Sequence, residues 1–382
     1  MTRKSYTPDL FLVLDFGGSL TKAIYMGKDG EPTLLCMEPE VIGVPATSVE
    51  AYQRLSGEMG EAMPQDRAWV KVDESYYAVG YLAAKRFHAN AGLSQLKYER
   101  AYPKTLAAVW VAATSLGLGN RFRMALAVLL PPGEYENASH LEAMIASGLE
   151  QFETPCGTFK VKLTHFDCKP EGAGIYLMRT QSDSAALKRK TCAVVMLGYR
   201  NASVLVSDRG QVNKRVTSSL GFVRLVEMVD SRTSGLSVGR LAKAIALSGE
   251  EPNPKVLQPL LQSVTKEGRF EEMTALKKAI VECRPEYVLA LRSWLREVLP
   301  KDLVMVILSG GTADYLKREL EEHFGSVDIV WHGVELPKSL QDVELGSRIS
   351  DAYGMYLYFQ SLVGRSLVQS NLQSTTKVEA SA

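Results

Sequence analysis

A strand, a glycine turn, a second strand and a second turn occur twice in this chain, and that recurrence constrains the fold more than any other feature. The first copy reads Phe11-Leu12-Val13-Leu14-Asp15, then Phe16-Gly17-Gly18-Ser19, then a strand over 23–26 and a turn at Lys28-Asp29-Gly30-Glu31. The second reads Cys192 to Leu197, Gly198-Tyr199-Arg200, Ala202 to Ser207 and Asp208-Arg209-Gly210-Gln211. Unbroken apolar runs suit buried strands, and glycine lets the backbone reverse sharply between them. Two such copies in 382 residues predict a duplicated α/β architecture of two domains with a cleft between them.

The intervening pattern fills in that plan. Residues 69–72 and 76–79 read as a small hairpin around Asp73-Glu74-Ser75. Tyr102 to Leu116 is an apolar helix, Met124 to Leu130 a buried strand ended by Pro131-Pro132-Gly133, and His140 to Phe152 a helix with Ser139 as its N-cap. Thr158 to Phe166 alternates like a strand, and 235–300 is mostly helix-forming apart from Glu251-Pro252-Asn253-Pro254. Leu303 to Leu308 is another buried strand, closed by Ser309-Gly310-Gly311-Thr312 and followed by a helix through Tyr315 and Leu320. From about Ser366 the chain is polar and without period, which predicts a disordered tail over 366–382.

Composition excludes several classes. A formal net charge of +1 supplies no general pull toward nucleic acid or a membrane surface, and aromatic residues are not interleaved with basic ones. Five scattered cysteines without a C-x-x-C pair argue against a disulfide framework or a zinc site and fit a reducing cytosol. The five histidines have no ligand spacing. The opening Met-Thr-Arg-Lys-Ser-Tyr-Thr-Pro lacks the apolar core of a secretory leader, and Leu106 to Gly119 falls short of a membrane span. The expectation is a cytoplasmic protein without direct nucleic-acid or membrane contact.

The first turn carries chemistry as well as geometry. Backbone N–H groups and hydroxyls in a small-residue turn hold phosphate oxygens, and a carboxylate at the strand end faces a hydrated divalent cation. Asp15, Gly17, Gly18 and Ser19 supply those groups, with Lys22 close by. The stretch is neither G-x-x-x-x-G-K-[ST] nor G-x-G-x-x-G. Lys22 either reaches phosphate or snorkels to solvent, and Arg200 either pairs with phosphate or is a solvated turn residue.

Three turns after buried strands, Asp15-Phe16-Gly17-Gly18, Leu197-Gly198-Tyr199-Arg200 and Ser309-Gly310-Gly311-Thr312, stand in one order. That set resembles the phosphate-1, phosphate-2 and adenosine motifs of the actin-like ATPase superfamily, most closely the ParM-type actins that segregate plasmids. The D-x-G-x-x-x-x-K pattern of that family is met by Asp15, Gly17 and Lys22. Leu130 to Tyr135, Pro170-Glu171-Gly172-Ala173-Gly174 and Asp351-Ala352-Tyr353-Gly354 are similar to further segments, the last to a helix that returns to the first domain.

The resemblance implies an actin-like (ribonuclease H-like) fold. Domain I would cover 1–185 with a returning helix at 345–365 and a small subdomain at 33–100; domain II would cover 190–344 with a helical subdomain at 229–300. It implies ATP as nucleotide, with GTP the alternative, and Mg2+ held by Asp15 through water. Gly17, Gly18 and Ser19 would contact the β- and γ-phosphates, Lys22 would lie near them or brace the turn, and Gly198, Tyr199, Arg200 and Asn201 would form the opposing loop. Gly310, Gly311 and Thr312 would let backbone approach the adenosine, and Glu171 would orient the attacking water. It implies self-association into filaments and a separate DNA-binding adaptor that links them to plasmid DNA.

One departure stands out. The second phosphate motif of the family often reads D-x-G-x-x-T-x-D, whereas this chain has Met196, Gly198, Asn201 and Ser203. Both acidic positions are lost, which bears on hydrolysis and metal affinity more than on nucleotide binding. Two other classes stay open: a small-molecule kinase, which would need a catalytic Asp that no motif supplies, and a chaperone or reactivating factor that binds a client instead of itself.

Overall fold

The computed structural model describes residues 7–56, 62–182, 189–233, 235–341 and 345–379, with side chains described as far as Leu367. The chain divides into two compact units, Met1–Arg179 with Val334–Ala382, and Thr180–Gly333. The expected boundary at 185 lies outside the described residues.

The first unit is built on strands β1 (Leu10–Phe16), β2 (Thr21–Gly27), β3 (Thr33–Met37), β4 (Val41–Val44), β5 (Trp69–Val72), β6 (Ser75–Val79), β7 (Arg121–Leu130), β8 (Phe152–Thr154) and β9 (Gly157–Pro170). They form one sheet in the order β3-β2-β1-β7-β9-β8-β5-β6-β4. β1 to β3 pair antiparallel, whereas β1, β7 and β9 run parallel. Its helices are α1 (Ala46–Ser56), α2 (Tyr81–Arg86), α3 (Lys97–Ser115), α4 (Ala138–Glu150) and α5 (Ala173–Ser182), and the carboxyl-terminal helix Ser350–Glu379 also belongs to it.

The period of two along β1 explains why this sheet is covered on both faces. Leu10, Leu12, Leu14 and Phe16 join a core with Ala107, Trp110 and Val111 of α3 and Leu141 and Ile145 of α4. Phe11 and Val13 point the other way, into a core with Ala352, Met355, Tyr356 and Phe359 of the carboxyl-terminal helix. β7 repeats the division: Met124, Leu126 and Val128 face α3, while Ala125 and Ala127 face the carboxyl-terminal helix, where small side chains leave room for it. Each fully buried leucine contributes about 2 kcal/mol over its exposed state.

The second unit holds β10 (Thr191–Leu197), β11 (Ala202–Asp208), β12 (Gln211–Ser218), β13 (Met305–Ser309) and β14 (Asp328–Trp331), in the order β12-β11-β10-β13-β14. That is the order of β3-β2-β1-β7-β9, with the same antiparallel and parallel pairings. The duplication read from the sequence is therefore a duplication of topology. Its helices include α6 (Phe222–Asp230), α7 (Val238–Ser248), α8 (Lys266–Val298), α9 (Gly311–Tyr315) and α10 (Lys317–His323). Ala193, Val195 and Leu197 pack on Leu225, Val226, Leu241 and Ile280 from this helical layer.

Local expectations differ from the structure at three places. Helix α3 begins at Lys97, five residues before the apolar run, because its polar first turn is held by Lys97, buried against Glu171, and by Glu134 on the Tyr98 N–H. Helix α4 has Asn137, not Ser139, at its N-cap, since a 3-10 turn over Pro132–Asn137 leads straight into it. The carboxyl-terminal helix continues to Glu379, where an irregular tail was expected; Ser366 to Glu379 contains neither Gly nor Pro to stop it. Among the described residues, no helix is long and apolar enough to cross a membrane.

Candidate functional site

The antiparallel register of β1 and β2 places Asp15 opposite Lys22 and Phe16 opposite Thr21, leaving Gly17-Gly18-Ser19-Leu20 as the connection. Gly17 is required there by space: a Cβ would stand 2.5 Å from the Leu20 carbonyl oxygen. Lys22 does not snorkel to solvent. Its Nζ lies 2.5 Å from Asp15 Oδ2 and donates to the Arg348 carbonyl oxygen at 2.7 Å, and both side chains are about nine-tenths buried. The Arg348 guanidinium in turn donates to Ser19 Oγ at 2.8 Å, so a cation from the segment before the carboxyl-terminal helix reaches the turn.

Glu171 joins this group through the sheet. β1, β7 and β9 are neighbours, Asp15 is opposite Leu129, Leu130 is opposite Pro170, and Glu171 N–H donates to the Leu130 carbonyl at 2.7 Å. Asp15 and Glu171 thus lie at the carboxyl ends of two parallel strands with β7 between them, the end of an open α/β sheet where ligands bind. The Glu171 carboxylate is ion-paired with Lys97 Nζ at the start of α3. The neighbouring Tyr98 N–H is capped by Glu134 Oε2 at 3.0 Å, which satisfies one of the unpaired donors of that helix end.

A third carboxylate completes the cluster. Asp351, in the first turn of the carboxyl-terminal helix, accepts from Gly172 N–H at 2.7 Å and Ile175 N–H at 3.2 Å, holding the amino end of α5. Full burial pushes its carboxyl up to about 7, the nearby charges of Asp15 and Glu171 adding to the rise while the two N–H donors oppose it. The helices meet without side chains: a Cβ on Gly174 would lie 2.1 Å from the Asp351 carbonyl oxygen, and one on Gly354 2.6 Å from the Gly174 carbonyl carbon.

The second unit assembles the other predicted residues. Gly198 N–H donates to the Asn201 carbonyl across the β10–β11 turn at 2.9 Å, and the carbonyls of Gly198 and Tyr199 accept from Phe222 and Val223 at the start of α6. Thr312 Oγ1 donates to the Gly198 carbonyl at 2.8 Å, tying the turn after β13 to the turn after β10. Gly310 has φ +102 and a Cβ there would stand 2.3 Å from the Leu197 carbonyl oxygen, so glycine is needed on both counts. Ser309 Oγ is buried without a hydrogen-bond partner among the described residues. Gly198 to Asn201 and Gly310 to Thr312 therefore form one construction, and Asp15, Gly17, Gly18, Ser19, Lys22 and Glu171 another.

The donor set suits a phosphate chain and a hard divalent cation. A carboxylate oxygen at Asp15, the Ser19 hydroxyl and the cations Lys22 and Arg348 are the groups such a ligand needs. Among the described residues, no three His, Cys, Asp or Glu side chains could hold a metal by themselves.

Sequence reasoning missed Lys97, Glu134 and Arg348 and gave Asp351 no role at the site. Lys97 and Arg348 have no motif signal, and Glu134 and Asp351 stood in resembling segments without a role; Arg348 and Asp351 are brought to Ser19 and Gly172 from more than three hundred and about 180 positions away, respectively.

No family model matches the chain, and no curated protein matches it. Solved structures do. A 15-stranded ParM filament from Clostridium botulinum aligns over 93% of this chain and 100% of its own with a TM-score of 0.59 at 15% identity. Ta0583, an archaeal actin homolog, aligns over 92% and 99% with a TM-score of 0.58 at 15% identity. The apo pSK41 ParM protein aligns over 94% and 100% with a TM-score of 0.56 at 10% identity. This chain has the actin-like fold of the ParM-type proteins, as its ordered turns implied.

Proposed function

We propose that this protein is a nucleotide-dependent, filament-forming actin-like protein that binds ATP with Mg2+, hydrolyses it, and moves plasmid DNA through a separate DNA-binding adaptor. The observation that carries the reading is the charged turn of the first unit, where Asp15, Ser19 and Lys22 gather at the carboxyl end of β1, with Glu171 at the same end of the sheet beyond β7. The actin-like fold supports it, since structures of the same fold include the C. botulinum ParM filament and an Alp12 filament.

Each residue has work its chemistry suits. Asp15 offers a carboxylate oxygen to a hydrated cation, and Lys22, already beside it, neutralises phosphate charge when that oxygen is engaged. The Gly17-Gly18 backbone and the Ser19 hydroxyl cradle phosphate oxygens, with Arg348 beside Ser19. Gly198, Tyr199, Arg200 and Asn201 present the second turn, and Gly310, Gly311 and Thr312 keep the adjoining backbone open to a nucleoside. Glu171 accepts the hydrogens of an attacking water and fixes its line of approach. When bound, Mg2+ would polarise the phosphates and neutralise the charge that develops during transfer.

Filament growth follows if the triphosphate favours one conformer with filament-competent surfaces, because a ligand shifts an equilibrium by its differential affinity for the two states. A heterologous contact repeated head to tail does not close, and so propagates. Light scattering after addition of Mg2+ and ATP, with negative-stain images of the same sample, tests this. Filaments that need nucleotide are expected. Nucleotide binding without assembly over a wide protein concentration range would sink the filament claim and favour a non-polymerising ATPase.

A further inference from the structure

Four cations face one another in the first unit's sheet, at the amino ends of β7 and β9 and so at the end away from Asp15 and Glu171. The parallel register puts Arg121 opposite Lys160 and Arg123 opposite Lys162. A period of two along each strand sets all four side chains on one face. Neighbouring strands lie about 4.8 Å apart and alternate residues about 6.6 Å apart, so the four stems rise from a rectangle of roughly that size. Like charges directly across a ladder destabilise it, yet here two such pairs stand in succession. Together with Asp9 and Phe122 they line a recess of about 470 Å3.

One acid lines the recess. Asp9 accepts from the Arg123 backbone N–H at 2.9 Å and from its Nε at 3.4 Å. Burial works against the Asp9 carboxylate, but these hydrogen bonds and the charges of Arg123 and Lys28 hold its carboxyl below the ordinary range. Asp9 answers Arg123, whereas Arg121, Lys160 and Lys162 are exposed and form no ion pair among the described residues. The chain as a whole has a formal net charge of +1, so this excess is local. Lysines also keep an open strand edge from pairing with another chain, and β8 pairs with β9 only over 157–159. That accounts for β9 alone: β7 lies between β1 and β9, and its arginines have no edge to guard.

We propose that this recess binds a chain of phosphoryl groups, at the opposite end of the sheet from the nucleotide site proposed above. Charge density selects that chemistry. An extended acidic peptide presents a carboxylate on its facing side only at every second residue, about 6.6 Å apart, and so brings few charges to a patch of this length. A phosphate chain packs its charges more closely. Its oxygens accept the planar fork of a guanidinium and the point charge of an ammonium, and the recess offers both. A free oligophosphate and the phosphate tail of a nucleotide share this chemistry.

The probe is tripolyphosphate, titrated by calorimetry into the full chain at about 0.15 M salt, where exposed charges are screened beyond about 8 Å. The parent is compared with the triple variant Arg121→Gln, Lys160→Gln, Lys162→Gln, and a fluorescent ATP analogue follows the nucleotide site in both. The parent should bind tripolyphosphate and the variant bind it at least about tenfold more weakly, with the analogue affinities within about twofold. The variant should unfold at or above the parent's temperature, because it loses two like-charge contacts. If it does not fold, Lys160→Glu alone makes the same comparison at one exposed position. A second equivalent of ATP held by the parent and lost in the variant would support the site with a nucleotide tail as occupant; tripolyphosphate bound without one would support it with a free chain. Equal tripolyphosphate affinity in parent and variant, or none in the parent, would overturn the proposal. Orthophosphate bound as tightly would overturn it by leaving an adventitious ion only, and an oligoglutamate peptide bound more tightly would overturn it in favour of an acidic protein.

Discussion

The two glycine turns have the same register and opposite chemistry. In the first unit Asp15 pairs across the hairpin with Lys22, and four residues connect Phe16 to Thr21. In the second, Met196 pairs with Ser203, and four residues connect Leu197 to Ala202. Position for position, a buried ion pair in one copy is a thioether and a hydroxyl in the other. The first unit concentrates Asp15, Lys22, Lys97, Glu171 and Asp351 at one end of its sheet. The second keeps its main buried ion pair elsewhere: Arg284 binds Glu319 and the Tyr315 carbonyl and stacks on the Tyr315 ring at 4.4 Å. Burial works against the Glu319 carboxylate, but the hydrogen bonds from Arg284 prevail and hold its carboxyl below the ordinary range. The lesson is that duplicated topology does not impose duplicated chemistry. The backbone fixes where a turn lies, and the side chains at its strand ends decide whether that turn handles charge.

The largest effect should come from removing one partner of the charged turn. Asp15→Ala leaves Lys22 buried without its carboxylate and should lower stability by about 3–5 kcal/mol, whereas Met196→Ala, at a half-buried position, should cost about 1 kcal/mol or less. Urea unfolding of both variants makes the comparison; equal losses would erase the distinction between the turns. Next come the glycine contacts. Gly174→Ala forces a methyl group against the backbone of the carboxyl-terminal helix and should cost about 1–3 kcal/mol, with Gly310→Ala similar through its clash with Leu197 and its positive φ. Wild-type stability in either variant would mean that the close backbone approach is not a constraint.

Asp351 adds a pH dependence opposite in sign to the one that the lowered Glu319 carboxyl gives the second unit. Its folded value is raised to about 7 from the ordinary carboxylate value of 3.8, so between those limits the folded state binds more protons than the unfolded chain. Stability should therefore fall as pH rises from about 4 to 7, by at most about 1.4 kcal/mol per pH unit from this group. In Asp351→Asn that component should vanish, leaving a flatter profile by chemical denaturation at pH 5.5 and 8. An unaltered slope would remove Asp351 as its source. The smallest effect expected is from Met196→Asp, which restores an acid to the second turn. Because Asp15 already supplies a metal-facing carboxylate under the proposed mechanism, phosphate release should rise only about threefold, under 1 kcal/mol in barrier height. A rise well beyond tenfold would instead make the missing acid of the second turn the limiting feature.

Much of the fold was legible along the chain. The apolar runs at 11–15, 124–130, 192–197 and 303–308 became β1, β7, β10 and β13, each central in its sheet, because a strand buried on both faces must be apolar throughout. Edge strands were less visible. β12, Gln211–Ser218, carries Asn213, Lys214 and Arg215 and buries none of its residues fully, so its sequence has no apolar signature; pairing with β11 makes it a strand. The same holds for the polar first turn of α3, where only Lys97 is buried, through its ion pair with Glu171.

The candidate site divides along the same line. Asp15, Gly17, Ser19 and Lys22 were readable because they share one hairpin, and Glu171 because it stands in a short segment of distinctive composition. Local sequence by itself determined the two glycine turns, the strands that carry them and the loss of acid at Met196 and Ser203, since a tight turn between buried strands depends on near neighbours alone. Tertiary structure decided the charges that surround the first turn. Lys97 comes from the start of one helix, Arg348 from the segment before another, and Asp351 from its first turn, and only packing brings them to Glu171, Ser19 and Gly172. A buried charge is tolerated where a partner meets it, and that partner can come from any part of the chain that the core brings near.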